Sequence, residues 1–77
     1  MKGQLIEVVA YAGHRGEELP RSFMLAGNKI TVIEVLSQWI EEDAVRGWRR
    51  RCFSIKGSDS HIHLLAYEEK TGEWHLE

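Results

Sequence analysis

Residues 20–39 read PRSFMLAGNKITVIEVLSQW, and this stretch decides the fold. Apolar and β-branched residues lie on both sides of Gly27 and Asn28, which is the composition of two strands joined by a tight turn. Glycine at the first central position of a two-residue turn is typical of type II′, whose backbone twist matches that of paired strands. The stretch therefore predicts a β-hairpin that turns at Gly27-Asn28.

The segment after this turn, residues 29–41, fits two periods. Ile33 and Val35 alternate as in a strand, whereas Ile33 and Leu36 would share one face of a helix. Because β-branched residues dominate its first half and a hairpin turn precedes it, the sequence favours a strand. A bend or bulge is predicted near Leu36-Ser37.

Other segments repeat the alternation and composition of strands. Beside the arm that Pro20 opens, they are Leu5–Tyr11, Trp48–Lys56, His61–Tyr67 and Trp74–Leu76. Short connections between consecutive strands favour an antiparallel meander, and residues 13–18 are predicted to form a polar loop. Several strands are apolar on both faces, so a flat sheet with one wet side does not fit. We predict an all-β fold, a small antiparallel meander of five to six strands, strongly twisted or curled into a partial barrel.

Size and composition narrow the function classes. Seventy-seven residues predict a single domain over 1–77. The one cysteine, Cys52, cannot form an internal disulfide, which fits the reducing environment of the cytoplasm. A formal net charge of −2 argues against a protein whose whole surface binds polyanions. No run of apolar residues reaches the roughly 20 that a spanning helix needs, so no membrane partner is predicted.

A basic strand beside two tryptophans is the strongest functional signal. The candidate nucleic-acid-binding residues are Arg46, Arg49, Arg50, Arg51, Trp39 and Trp48. Guanidinium groups bind phosphate in bidentate fashion, and exposed indoles stack on single-stranded bases. In a strand, however, the side chains of Arg49 and Arg51 point away from that of Arg50. Only part of the cluster can therefore lie on one face.

The alternative interpretation of the basic strand is structural. Charge keeps outer strands soluble, and opposite charges pair across a sheet. The carboxylates available for such pairing are Glu34, Glu41 and Glu68. Tryptophans in so small a domain are also more often part of the core than of a binding surface.

Histidine and cysteine residues suggest no active chemistry. His61 and His63 would lie on one strand face, a spacing that suits metal ligation if Cys52 or His75 completed the site. No Cys-x-x-Cys or helical histidine pair accompanies them, and Cys52 lies within a strand, as a buried thiol would. We predict no metal site, no cofactor and no catalytic residue, and hence a protein that is not an enzyme.

A set of spaced residues resembles a known family. They are Phe23, Gly27, Val32, Val35, Leu36, Trp39, Trp48–Arg51, Tyr67 and Thr71–Leu76. Over residues 20–77 they resemble a short bacterial domain family of unknown function with the pattern Phe-x-x-x-Gly, Val-x-x-Val-Leu-x-x-Trp and Thr-Gly-x-Trp-x-Leu. Some members are encoded near lesion-bypass DNA polymerase genes, so the resemblance implies a stand-alone β domain in a DNA-repair neighbourhood. The chain departs from this pattern at Leu5–Tyr11, His61 and His63, and the family supplies no catalytic residue.

Two function classes remain open from the sequence. The first is a protein-interaction or accessory module, in which a partner or a second copy adds a strand to an exposed edge at Leu5–Tyr11 or Trp74–Leu76. The second is a nucleic-acid-binding accessory module in DNA repair that uses the arginine-rich strand. The position of the arginines relative to carboxylates and to the two tryptophans distinguishes the two hypotheses.

Overall fold

A computed structural model of the chain describes residues 3–12 and 18–77. They form seven strands: β1 (Gln4–Ile6), β2 (Val8–Ala12), β3 (Glu18–Leu25), β4 (Asn28–Asp43), β5 (Trp48–Gly57), β6 (Ile62–Glu68) and β7 (Glu73–Leu76). The predicted all-β fold is confirmed, with one strand more than expected because the N-terminal segment divides at Glu7. The predicted loop over residues 13–18 lies, apart from Glu18, outside the described residues. The described residues include no helix with the length and apolar character to span a membrane.

The sheet is antiparallel throughout and strongly curled. Its strand order is β1-β7-β6-β5-β4-β3-β2, so the two outermost strands come from one continuous N-terminal segment. β1 pairs with β7, β2 pairs with β3, and at the break between them the Glu7 carbonyl accepts a 3.1 Å hydrogen bond from the backbone N–H of Met24. The predicted partial barrel is confirmed, and the N-terminal segment bridges its two ends.

The first hairpin turns one residue earlier than predicted. Leu25 and Asn28 are partners, so the two central residues are Ala26 and Gly27, with φ values of 51° and 81°. Positive φ at both central positions is the pattern of a type I′ turn, not of the expected type II′ turn at Gly27-Asn28. Glycine thus serves the second central position, while Ala26 adopts a left-handed conformation that is unfavourable for a residue with a side chain.

The predicted strand after this turn is confirmed, and so is its irregularity. β4 runs for sixteen residues. Its pairing with β5 shifts register twice, at Ile33 and at Leu36, so each is an extra residue in β4. Bulges increase the local twist of a strand. They turn the second half of β4 away from β3, which pairs with it only up to Thr31.

The core fills the concave side of the curled sheet. Phe23, Phe53, Ile55 and Leu65 are almost fully buried, and Trp74 packs against Phe53 with ring centroids 5.6 Å apart. Burying a side chain of this size contributes roughly 1.5–3 kcal/mol, so these few residues dominate the stability of so short a chain.

Candidate functional site

All four predicted arginines pair with carboxylates near the turn of the β4–β5 hairpin. Arg49 Nε and Arg51 Nε lie 3.5 Å and 3.1 Å from the same oxygen of Glu69. Arg46 Nε lies 4.0 Å from Asp43, whose other oxygen accepts backbone hydrogen bonds within the turn. Arg49 and Arg51 therefore share one face, as the strand alternation predicts, and their charge is shared with Glu69.

Arg50, on the opposite face, is at the centre of a network that includes both predicted tryptophans. Its Nε and Nη2 donate hydrogen bonds of 2.9 Å and 2.7 Å to Glu41 Oε1, and its Nη1 lies 3.4 Å from Glu77. Its guanidinium lies 5.6 Å from the Trp48 ring centroid. The indole N–H of Trp39 donates a 3.0 Å hydrogen bond to Glu41 Oε2. That bond first, and Arg50 second, lower the pKa of Glu41. The six predicted residues thus belong to ion-paired clusters rather than to one basic surface.

The Cys52 thiol lies beneath this network. Cys52 is opposite Trp39 in the sheet and is buried, as predicted. Burial first, and the negative charge of Glu41 second, raise the pKa of its thiol to about 11. Since the thiolate is the nucleophile, this raised pKa disfavours reaction at Cys52 near neutral pH.

The histidines bind a turn aspartate instead of a cysteine. Asp59 Oδ2 lies 2.9 Å from His63 Nε2 and 3.4 Å from His61 Nδ1. Cys52 and His75, one of which a metal site at the two histidines would have needed, lie on the other face of the sheet, because both align with Ala66. Across the described part of the chain, no three His, Cys, Asp or Glu side chains are placed to hold a metal ion.

A depression of about 440 Å³ lies on the same face as Arg50. Trp48, Arg50 and His75 line it together with Arg46. Both of these arginines already pair with carboxylates, so the depression offers no unpaired guanidinium group to an anion.

The second half of β4 has an open edge. β3 pairs with β4 only along residues 28–31, whereas β5 pairs with its other edge along residues 32–43. Among residues 3–12 and 18–77, no strand pairs with the remaining edge of β4 from Ile33 to Asp43. We call this segment the open edge of β4.

Exposed apolar side chains line the open edge. They are Ile33 (61% exposed), Leu36 (44%), Ile40 (44%) and Trp39 (38%). A groove of about 240 Å³ lies between Trp39 and Ile40, with Gln38 and Arg51 as its other walls. An edge that is both unpaired and apolar is the surface to which an extended chain adds.

The lengths of the predicted strands already indicated that part of β4 would be unpaired. The predicted strand over residues 29–41 is much longer than the arm Pro20–Leu25 that precedes it in the hairpin. The residues by which this strand exceeds the preceding arm must therefore extend past the end of that arm, where the arm cannot pair with them. The edges predicted instead are only partly right. Trp74–Leu76 pairs on both sides, with β1 and β6, so that prediction is wrong, whereas Leu5–Tyr11 does supply the two ends of the sheet.

No protein-family model, no curated protein and no solved structure matches this chain.

Proposed function

We propose that this chain is a non-enzymatic protein-interaction module that binds an extended segment of another protein along the open edge of β4. One observation carries the proposal, namely the edge of β4 from Ile33 to Asp43, with which no described strand pairs, and its four exposed apolar side chains. An added strand gains main-chain hydrogen bonds from such an edge, and side-chain grooves supply specificity. The groove between Trp39 and Ile40 fits that second role.

The arrangement of charge favours a protein partner over a nucleic acid. Arg49 and Arg51 share Glu69, and Arg50 is held between Glu41 and Glu77. A phosphate would have to compete with these carboxylates for each guanidinium and would meet their negative charge. The DNA-repair neighbourhood implied by the family resemblance stays a prediction, and an interaction module would fit it as an accessory factor.

Retention of partners by paired variants tests the proposal. The edge variant carries Leu36→Thr with Ile40→Thr, and the control carries Ile62→Thr with Leu64→Thr, a similarly exposed apolar pair on β6. We expect protein partners from a host-cell extract to be retained by the wild type and by the control. The edge variant should retain them roughly tenfold less, because two apolar contacts are lost.

Two results would count against the proposal. One is equal retention of partners by the edge variant and by the wild type, with circular dichroism showing that both are folded. The other is salt-sensitive binding of labelled single-stranded DNA that the edge variant leaves unchanged, since counterion release on phosphate contact would then explain the affinity.

A further inference from the structure

The open edge of β4 is acidic as well as apolar. Residues 33–43 contain Glu34, Glu41, Glu42 and Asp43, with no lysine or arginine. Glu41 is bound to Arg50, and Asp43 is bound within the turn and to Arg46. Within the described residues, Glu34 and Glu42 have no cationic nitrogen inside 4 Å. Two unpaired carboxylates therefore flank the exposed apolar centre of the edge.

β5 shows which kind of strand suits β4. On the closed edge of β4, Glu34 faces Lys56 and Glu42 faces Arg49 across the sheet. Between them, Val35 faces Ile55. β5 is thus basic towards both ends and apolar at its centre. Because the side chains of a strand project above and below the sheet, those of β4 are within reach of a neighbour on either edge.

The open edge of a second copy does not have this charge pattern. Two β4 strands paired antiparallel about Gln38 would place Glu34 of one copy opposite Glu41 of the other, at both ends of the interface, because the extra residue Leu36 shifts the count by one. Like charges directly opposite each other destabilise a sheet, and inward charges on edge strands are a known protection against self-pairing.

We infer that the open edge of β4 accepts a β5-like extended segment of a different protein, with Lys or Arg near both ends of an apolar centre. This inference rests on the proposed function. Glu34 and Glu42 receive the two basic groups, and the groove between Trp39 and Ile40 receives a central apolar side chain. Arg51, which lines that groove, does not repel the partner because it is bound to Glu69.

Three synthetic peptides test the inference. The probe carries the sequence of residues 48–57 with Cys52→Ser. The second peptide replaces its three arginines and its lysine by glutamate, and the third keeps the probe sequence with alternate backbone amides methylated. Binding is measured by fluorescence anisotropy at low and moderate salt, and amide exchange locates the contact on the full chain. We expect the probe to bind at least about tenfold more tightly than the acidic peptide, most strongly at low salt, and to protect amides of residues 33–43.

A protein variant provides the matched control. Replacing both carboxylates, Glu34→Gln with Glu42→Gln, should weaken binding of the probe about threefold to tenfold at low salt and remove most of its salt dependence. Glu73→Gln removes an exposed carboxylate on β7 and should leave the affinity unchanged. The methylated peptide should not bind, because it cannot form the ladder of backbone hydrogen bonds.

The outcomes separate this inference from the proposed function. If the basic and acidic peptides protect the amides of residues 33–43 equally, the inferred need for basic groups in the partner is wrong. The proposed addition of a strand to this edge would still hold. If the wild-type chain dimerises through β4, the inference that the partner is a different protein is wrong. If none of the peptides binds and the extract yields no edge-dependent partner, the proposed function itself fails.

Discussion

At the scale of single residues, Asp59 has the most consequential environment outside the core. Its carboxylate accepts a 3.1 Å hydrogen bond from the backbone N–H of His61 and lies against the rings of His61 and His63. Burial opposes its ionisation, but these hydrogen bonds prevail, so the pKa of Asp59 is lowered. The carboxylate therefore holds the turn between β5 and β6 in its ionised form.

This environment predicts a pH-dependent stability. A carboxylate with a lowered pKa in the folded state stabilises the fold above its unfolded pKa of about 3.9 and loses that contribution as the pH falls through the folded value. Asp59→Asn should therefore lower the urea midpoint at neutral pH, and its difference from the wild type should shrink in acid below about pH 4. Glu73→Gln serves as the control and should follow the wild type. An equal deficit of Asp59→Asn at both pH values would contradict the assignment.

At the scale of elements, the hairpin between β3 and β4 depends on two left-handed residues. Gly27 adopts φ 81° at no steric cost, and a Cβ atom built there would meet no atom within 4 Å. Ala26 adopts φ 51° with a Cβ atom, and the Asn-Gly sequence that type I′ turns prefer is absent. The turn thus fixes the register of β4 although alanine is not the residue best suited to the left-handed conformation at position 26.

Substitutions in this turn should change stability in opposite directions. Ala26→Asn should raise the free energy of unfolding by about 0.5–1 kcal/mol, because asparagine tolerates the left-handed region. Gly27→Ala should lower it by roughly 1–2 kcal/mol through the backbone alone, since the added methyl group has open space. Denaturant unfolding of the two variants beside the wild type measures both effects. A neutral Gly27→Ala would mean that residue 27 does not have positive φ in solution.

Local sequence patterns predicted the strands, but they could not predict which distant strands pair. The alternation of Ile33 and Val35 identified β4 as a strand, and the bulge predicted near Leu36-Ser37 is present at Leu36. Nothing local showed that the N-terminal segment divides at Glu7 to pair with both β3 and β7, because that depends on where the curled sheet ends.

The candidate site was predictable to the same extent. Strand alternation correctly placed Arg49 and Arg51 apart from Arg50, and Glu41 was correctly named as a carboxylate partner. Glu69 and Glu77 were not, because their positions depend on the register of β5, β6 and the C-terminal residues, eighteen or more positions away in sequence. Asp59 was missed for a related reason, since only the folded turn brings it to the two histidines.

At the scale of the whole molecule, the described strands leave one long edge open, and that edge is acidic. β1 and β2 are short strands at the two ends of the sheet, so they offer little length for pairing. The open edge of β4 extends over residues 33–43, and apolar groups there would favour self-pairing if charge did not oppose it. In the proposed function, Glu34 and Glu42 select the strand that the domain accepts, and repulsion between Glu34 and Glu41 opposes the pairing of two copies.

Charge reversal at one end of the edge should therefore produce a dimer. With Glu34→Lys, antiparallel pairing of two copies about Gln38 brings the introduced lysine of each chain opposite Glu41 of the other, so repulsion becomes attraction at both ends. Glu73→Lys, a charge reversal at an exposed position of β7, leaves the open edge acidic and should remain monomeric. Light scattering over a range of protein concentrations measures the association, and amide exchange shows whether residues 33–43 form the interface. Dimerisation of Glu73→Lys, or a Glu34→Lys chain that associates through another surface, would show that charge on β4 does not control pairing at this edge.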